Sequence, residues 1–338
     1  MPNSPSRQAQ NRAWVRPKSK LWTYGLSLSV SAGLLALLLS QVVDAAGFRA
    51  QWARLSPEYA VLGMALFLGN LVLRGLRLRR LAMAAGDSAG RFAWIRLCAL
   101  HQVLFSVLPS ASADIGFPHL AARLLGCPAV TAARVLLVYR LQDLWTLLIL
   151  FATALFWYGA EGEVHYAVLF LVATTAAALL VWANDLTRFL GARLLQLIAP
   201  SGAAWEFLAR PLRRLATELD RPVCWTLRIH GAATALLSWS LAALSIWSFF
   251  AMIQVDLGLS ETLLVITGMN LVGAVAVFTV AGLGVAEGGL AAILLALGFG
   301  ASNAVAAALT VRPAALASVV IGGGLIECSY RLFRRFRA

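Results

Sequence analysis

The stretch VLPSASADIGFPHL, residues 107–120, decides how this chain is read. Two prolines, Pro109 and Pro118, and one carboxylate, Asp114, interrupt sequence that is apolar on both sides. In water this is a loop. At membrane depth it is a broken piece of backbone that must be shielded by protein or by a water-filled cavity, because lipid cannot satisfy free peptide groups.

The surrounding chain favours membrane depth. Of 338 residues, 60% are hydrophobic and 13% charged, and the mean hydropathy is +0.79. A soluble domain cannot hide that much apolar surface, so the expectation is an all-α, polytopic integral membrane helix bundle. The net charge of +13 invites a nucleic-acid partner. Its distribution argues against one.

The cations come in blocks: the first twenty residues, Arg74 to Arg96, Arg188 to Arg228, and Arg331 to Arg337. Neutral or acidic connections lie between them, at Glu161 and Glu163 and at Asp256 and Glu261. This alternation is the positive-inside pattern of a protein with both termini cytoplasmic. It divides the chain into a basic tail (1–20), a membrane domain (21–330) and a second basic tail (331–338), with a cytoplasmic amphipathic connection at 185–229. In that connection Leu208, Leu212, Leu215 and Leu219 share one helical face, with arginines opposite, as in a helix lying on the leaflet.

Clear spans are Leu21–Val43, Pro57–Leu76, Arg134–Tyr158, Val164–Asn184 and His230–Ile253, each near the 20 residues a bilayer core needs. The first is too long for a signal-peptide core. Shorter apolar stretches are 92–108, 112–125, 262–281, 286–300 and 303–326. Charge parity makes 92–125 return to its starting side. Residues 112–125 give only about 21 Å of helix at 1.5 Å per residue. A re-entrant hairpin with Pro109 near its tip is therefore expected.

The C-terminal half holds a matching interruption, FTVAGLGVAEGG, residues 278–289. Pro109 stands five residues before Asp114, and Gly282 five before Glu287. Gly126 precedes Arg140 by fourteen residues, and Gly298 precedes Arg312 by fourteen. By charge parity the two copies have opposite orientation. Inverted repeats with broken helices near the midplane are a transporter architecture. Gly282, Gly284 and Pro109 are the expected hinge residues.

Five ionisable groups fall in or beside apolar segments: Asp114, Arg140, Asp143, Glu287 and Arg312. Such groups are costly in a bilayer and mark functional sites by default. Arg140 and Asp143 are i and i+3 on one helix and can pair. Arg312 has no acid within a turn, and Glu287 and Asp114 are the candidates across the bundle. His101 reads as a satisfied buried histidine, and Asn70, Asn270 and Asn303 as helix-packing hydrogen-bonders. The four cysteines show no metal spacing. No HExxH, P-loop or GxSxG is present, so neither an enzyme nor a cofactor is expected.

LPSASADIGF, AARLLGCPAVTAARVLLVYRLQDL, AGLGVAEGG and LTVR together resemble the lysylphosphatidylglycerol synthase transmembrane-region family, also called the flippase-like domain family. The likeness covers roughly residues 20–330. The chain departs from the family's usual pattern at Tyr139, at Ile115–His119 and at Ala286, where charged residues are common.

The resemblance implies handling of a phospholipid, hopanoid or polyprenyl-linked lipid in a bacterial inner membrane. It places Asp114, Arg140, Asp143, Glu287 and Arg312 at the head group. Aminoacyl transfer in such synthases belongs to a soluble C-terminal domain, for which 338 residues leave no room, so transport or binding is expected. A membrane glycosyl- or acyltransferase, and a non-transporting assembly partner of envelope-biosynthesis enzymes, remain alternatives.

Overall fold

The computed structural model describes residues 33, 52, 55–108, 110–158, 163–198, 206–275 and 282–335. The basic tail 1–20, Pro109 and all of the expected span Leu21–Val43 except Gly33 lie outside them. Ten helices and no strand are defined among the described residues: α1 (Pro57–Ala84), α2 (Arg91–Val107), α3 (Ser110–Leu125), α4 (Ala129–Tyr158), α5 (Glu163–Ile198), α6 (Glu206–Leu219), α7 (Trp225–Met252), α8 (Leu259–Val275), α9 (Val285–Ala296) and α10 (Ala301–Arg335).

Helices α1, α4, α7 and α10 are long and apolar enough to cross a membrane. With 28 to 35 residues each, they reach about 42 to 53 Å against a hydrocarbon core of about 30 Å. Two segments run further than the sequence suggests. Residues 303–326, read above as one apolar stretch among several, belong to a single 35-residue helix that continues through Pro313 to Arg335. Helix α5 covers the expected span Val164–Asn184 and continues to Ile198 before the amphipathic α6 packs back on it.

The shorter helices come in two consecutive, mutually packed pairs, α2 with α3 and α8 with α9. Helix α2 ends where Leu108 turns extended (φ −96°, ψ 164°), immediately before Pro109. A residue before proline is driven out of the helical region, so the sequence itself sets this stop. Helix α3 carries Pro118 in its interior. Proline has no N–H to give the carbonyl four residues back, which belongs to Asp114. The second pair breaks differently. Gly282 (φ +67°) and Gly284 (φ +80°) adopt backbone conformations that side chains resist, and α9 starts directly after them.

Small residues and hydroxyls join the long helices. Gly75 of α1 lies so close to α2 that a methyl group built on it would sit 2.5 Å from Ile95 Cα. From α7, Ser238 Oγ donates to Asn70 Oδ1 at 2.6 Å and Ser245 Oγ to the Gly63 carbonyl at 2.7 Å, both on α1. With no water to expel between helices in lipid, close packing and such hydrogen bonds hold a bundle together. Apolar clusters form around Phe249, Leu290 and Val311, around Trp94, Phe117 and Tyr139, and around Leu150, Trp239 and Leu263. A cavity lies amid these helices.

Candidate functional site

The cavity has a volume of about 600 Å³. Its wall comes from both short pairs and from the long helices α1, α4, α7 and α10. Much of it is apolar, from residues such as Phe105, Phe249, Ile266 and Leu290. Three guanidiniums, Arg74, Arg140 and Arg312, and one carboxylate, Asp114, face it.

Asp114 enters from α3, beside the carbonyl that Pro118 leaves without a helical donor. Arg140 Nη2 of α4 donates to Asp114 Oδ1 at 2.6 Å. His101 Nε2 of α2 stands 3.0 Å from the same oxygen. The imidazole is buried and packs edge-on against Phe117. The Arg140 guanidinium also covers the ring of Phe105, 5.1 Å from its centroid. Residues from three successive helices thus meet at one carboxylate.

Asp143 lies behind this pair and has other partners. The spacing of Arg140 and Asp143 allows an intrahelical ion pair, but the structure does not use it. Asp143, 3% exposed, instead accepts from Arg77 Nη2, from Arg74 Nη2 at 3.4 Å and from Trp239 Nε1 at 3.0 Å. Two arginines of α1 and an indole of α7 converge on one oxygen pair, and they outcompete a neighbour on the same helix. Arg74 is further held by Gln102 Oε1 at 3.1 Å and lies over the Trp239 ring at 5.0 Å; Arg77 lies over Tyr139 at 4.0 Å.

Arg74 and Arg77 were counted above with the charges of the cytoplasmic face, and they do not behave as surface cations. They are 8% and 2% exposed. The sequence held a signal for this. Arg74 falls inside the apolar span Pro57–Leu76, about 26 Å from its start at 1.5 Å per residue. Arg96, from the same block, is also engaged: it makes a two-pronged contact with Glu327 of α10 at 2.5 and 3.1 Å, and it covers Tyr330.

In the second short pair, Glu287 has two jobs. Its Oε2 accepts from the Gly284 N–H at 2.6 Å and so caps α9. Its Oε1 lies 4.0 Å from Arg312 Nε. Glu287 itself is 3% exposed and stands behind Arg312 rather than on the cavity wall. Gly282 lines the cavity; Pro109 lies outside the described residues. Asn270 also lines it, with its amide donated to its own helix at Ile266 O, 2.7 Å away. Asn70 makes the expected interhelical bond, whereas Asn303 is exposed.

The five groups singled out from the sequence therefore fall into three pairings: Asp114 with Arg140, Glu287 with Arg312, and Asp143 with the unanticipated Arg74 and Arg77. The first two are the acid–arginine pairs that the internal alignment equates. Each joins the second helix of a short pair to the long helix that follows it.

Neither a curated protein nor a solved structure matches this chain. A family match covers residues 24–323, nearly its whole length. A membrane-embedded helical bundle with paired acids and arginines around a central cavity thus belongs to the lysylphosphatidylglycerol synthase TM region family.

Proposed function

We propose that this protein binds the head group of a phosphate-bearing lipid in the cavity, leaves the acyl chains in the bilayer, and carries the lipid across by alternating access. The observation that carries this reading is the convergence of Arg74, Arg140 and Arg312 on a cavity whose only carboxylate among the described lining residues, Asp114, is already engaged. Arginines fit phosphate because their planar forks donate two bonds to one anion. The apolar remainder of the wall suits the glycerol and upper acyl region. Family membership supports lipid handling at a membrane.

In this reading the short pairs α2–α3 and α8–α9 are re-entrant hairpins of two inverted repeats, and one repeat rocks against the other. Both termini are cytoplasmic, in a bacterial inner membrane, where the basic blocks obey the positive-inside rule. The protein moves or holds its lipid without chemical change. His101 and Asp114, which would have to act as acid and base, are bonded to each other, and Asp114 also to Arg140. Partners beyond lipids are envelope-biosynthesis enzymes that make or consume the same lipid.

Reconstitution tests the reading. Vesicles containing the purified protein and an acyl-labelled fluorescent phospholipid should show protein-dependent exchange between leaflets, with no new lipid product. Arg140→Gln should abolish the exchange. Exchange no faster than in protein-free vesicles, or accumulation of a covalently altered lipid, would overturn it.

A further inference from the structure

The charges around the cavity do not balance. Four guanidiniums (Arg74, Arg77, Arg140 and Arg312) stand against three carboxylates (Asp114, Asp143 and Glu287) among the described residues of this cluster. His101 adds a positive charge only when protonated. Among these described groups one positive charge is left over.

The geometry shows where that surplus is presented. Arg140 is spent on Asp114 at 2.6 Å, and Glu287 stands beside Arg312 at 4.0 Å. Arg77 makes the closer contact with Asp143 and does not reach the cavity. Arg74 is the second claimant on Asp143, at 3.4 Å. Its remaining contacts are to neutral groups, the Gln102 amide and the Trp239 and Tyr139 rings. Its Nε is buried without a hydrogen-bond acceptor, and its side chain lines the cavity.

From this we infer that the cavity selects lipids with a net charge of minus one: a phosphodiester whose remaining head group is an uncharged polyol or sugar. Arg74 is the residue that presents the selecting charge, and Asp143 and Arg77 position it. This rests on the reading of the cavity as a lipid head-group site.

The physical reason is compensation. An uncompensated cation among low-dielectric walls is costly, and a monoanion removes that cost on binding. A zwitterion brings no net charge and leaves the surplus in place. A lipid with a net positive, aminoacylated head group adds a second positive charge to it. Its ammonium also finds the one lining carboxylate, Asp114, already bonded to Arg140 and His101.

Equilibrium binding of radiolabelled lipids to the purified full chain in detergent tests this. The probes are phosphatidylglycerol (monoanion), phosphatidylethanolamine (zwitterion) and lysylphosphatidylglycerol (net cation), with glycerophosphoglycerol as a soluble competitor bearing the same phosphodiester. Phosphatidylglycerol should bind about tenfold more tightly than phosphatidylethanolamine, a difference of about 1.4 kcal/mol. The cationic lipid should be weakest.

Arg74→Gln should bring the first two affinities within about threefold of each other. Arg77→Gln should do the same although Arg77 does not touch the cavity, because Asp143 then neutralises Arg74 fully. The double variant Arg77→Gln/Asp143→Asn returns the net charge to plus one and should restore the preference. Equal wild-type affinities for the monoanion and the zwitterion would overturn the inference while leaving lipid binding intact. So would a double variant that behaves like Arg74→Gln. Binding of no lipid at all, or displacement by glycerophosphoglycerol as effective as by intact lipid, would instead overturn the reading beneath it that the ligand is a lipid.

Discussion

Replacing Asp143 by Asn should destabilise this protein severely, and the identity of the rescuing mutation is the test. The carboxylate is 3% exposed and accepts from Arg77, Arg74 and Trp239. Asparagine keeps the shape and one acceptor but removes the charge. Two buried guanidiniums are then left facing each other. Breaking a buried pair from one side costs about 3–5 kcal/mol.

Removing the stranded charge as well should recover about 2 kcal/mol, so Arg77→Gln/Asp143→Asn should be markedly more stable than Asp143→Asn alone. Unfolding in mixed micelles, followed by tryptophan fluorescence, measures both variants, Arg140→Gln/Asp143→Asn and the wild type. If Arg140→Gln rescues Asp143→Asn and Arg77→Gln does not, the intrahelical pair suggested by the i, i+3 spacing is real. The cross-bundle assignment then fails.

Arg312→Gln should cost little stability, since Glu287 keeps its bond to the Gly284 N–H, yet it should abolish lipid-dependent stabilisation in a thermal-shift series; Arg312→Lys should recover only part of it, because a point charge cannot make two-pronged phosphate contacts. Gly75→Ala should destabilise by about 1–3 kcal/mol, read in the same micelle assay, because the added methyl meets the α2 backbone at Ile95 rather than a movable side chain. Single cysteines at Ser88 and Arg123 should label from the same face of the membrane; labelling from opposite faces rules out the α2–α3 re-entrant hairpin.

Much of the architecture is legible in the sequence because it is local. Pro109 stops α2 by steric exclusion one residue upstream, and Gly282 and Gly284 mark the break before α9. That Arg312 needs a partner across the bundle was legible because no acid lies one turn away on its own helix; the choice between Glu287 and Asp114 was not. The Asp143 cluster was not legible in the same way. Its partners lie 66 and 69 residues upstream, and periodicity says nothing about which helices meet. The intrahelical alternative looked sufficient only because spacing was all there was to judge. Arg77 was hidden by its company: in a run of arginines at a span's end, an inward-facing one is indistinguishable from the solvated ones until α2, α4 and α7 close around it, whereas Arg74 carried a signal in its place inside the apolar span. The length of α10 was obscured at its end, where Glu327 and Arg331 close the apolar stretch although the helix runs on to Arg335.

One carboxylate at the start of α9 answers to two masters. Glu287 holds the Gly284 amide with one oxygen and stands beside Arg312 with the other. An anion that draws Arg312 forward weakens the second attachment and leaves the first to tighten. Thermodynamic linkage makes the effect mutual: any change that stiffens or loosens the glycine turn must alter anion affinity by the same factor that the anion alters the turn. The Gly284 amide is therefore a built-in gauge of occupancy, and its rate of hydrogen exchange should slow as the cavity fills.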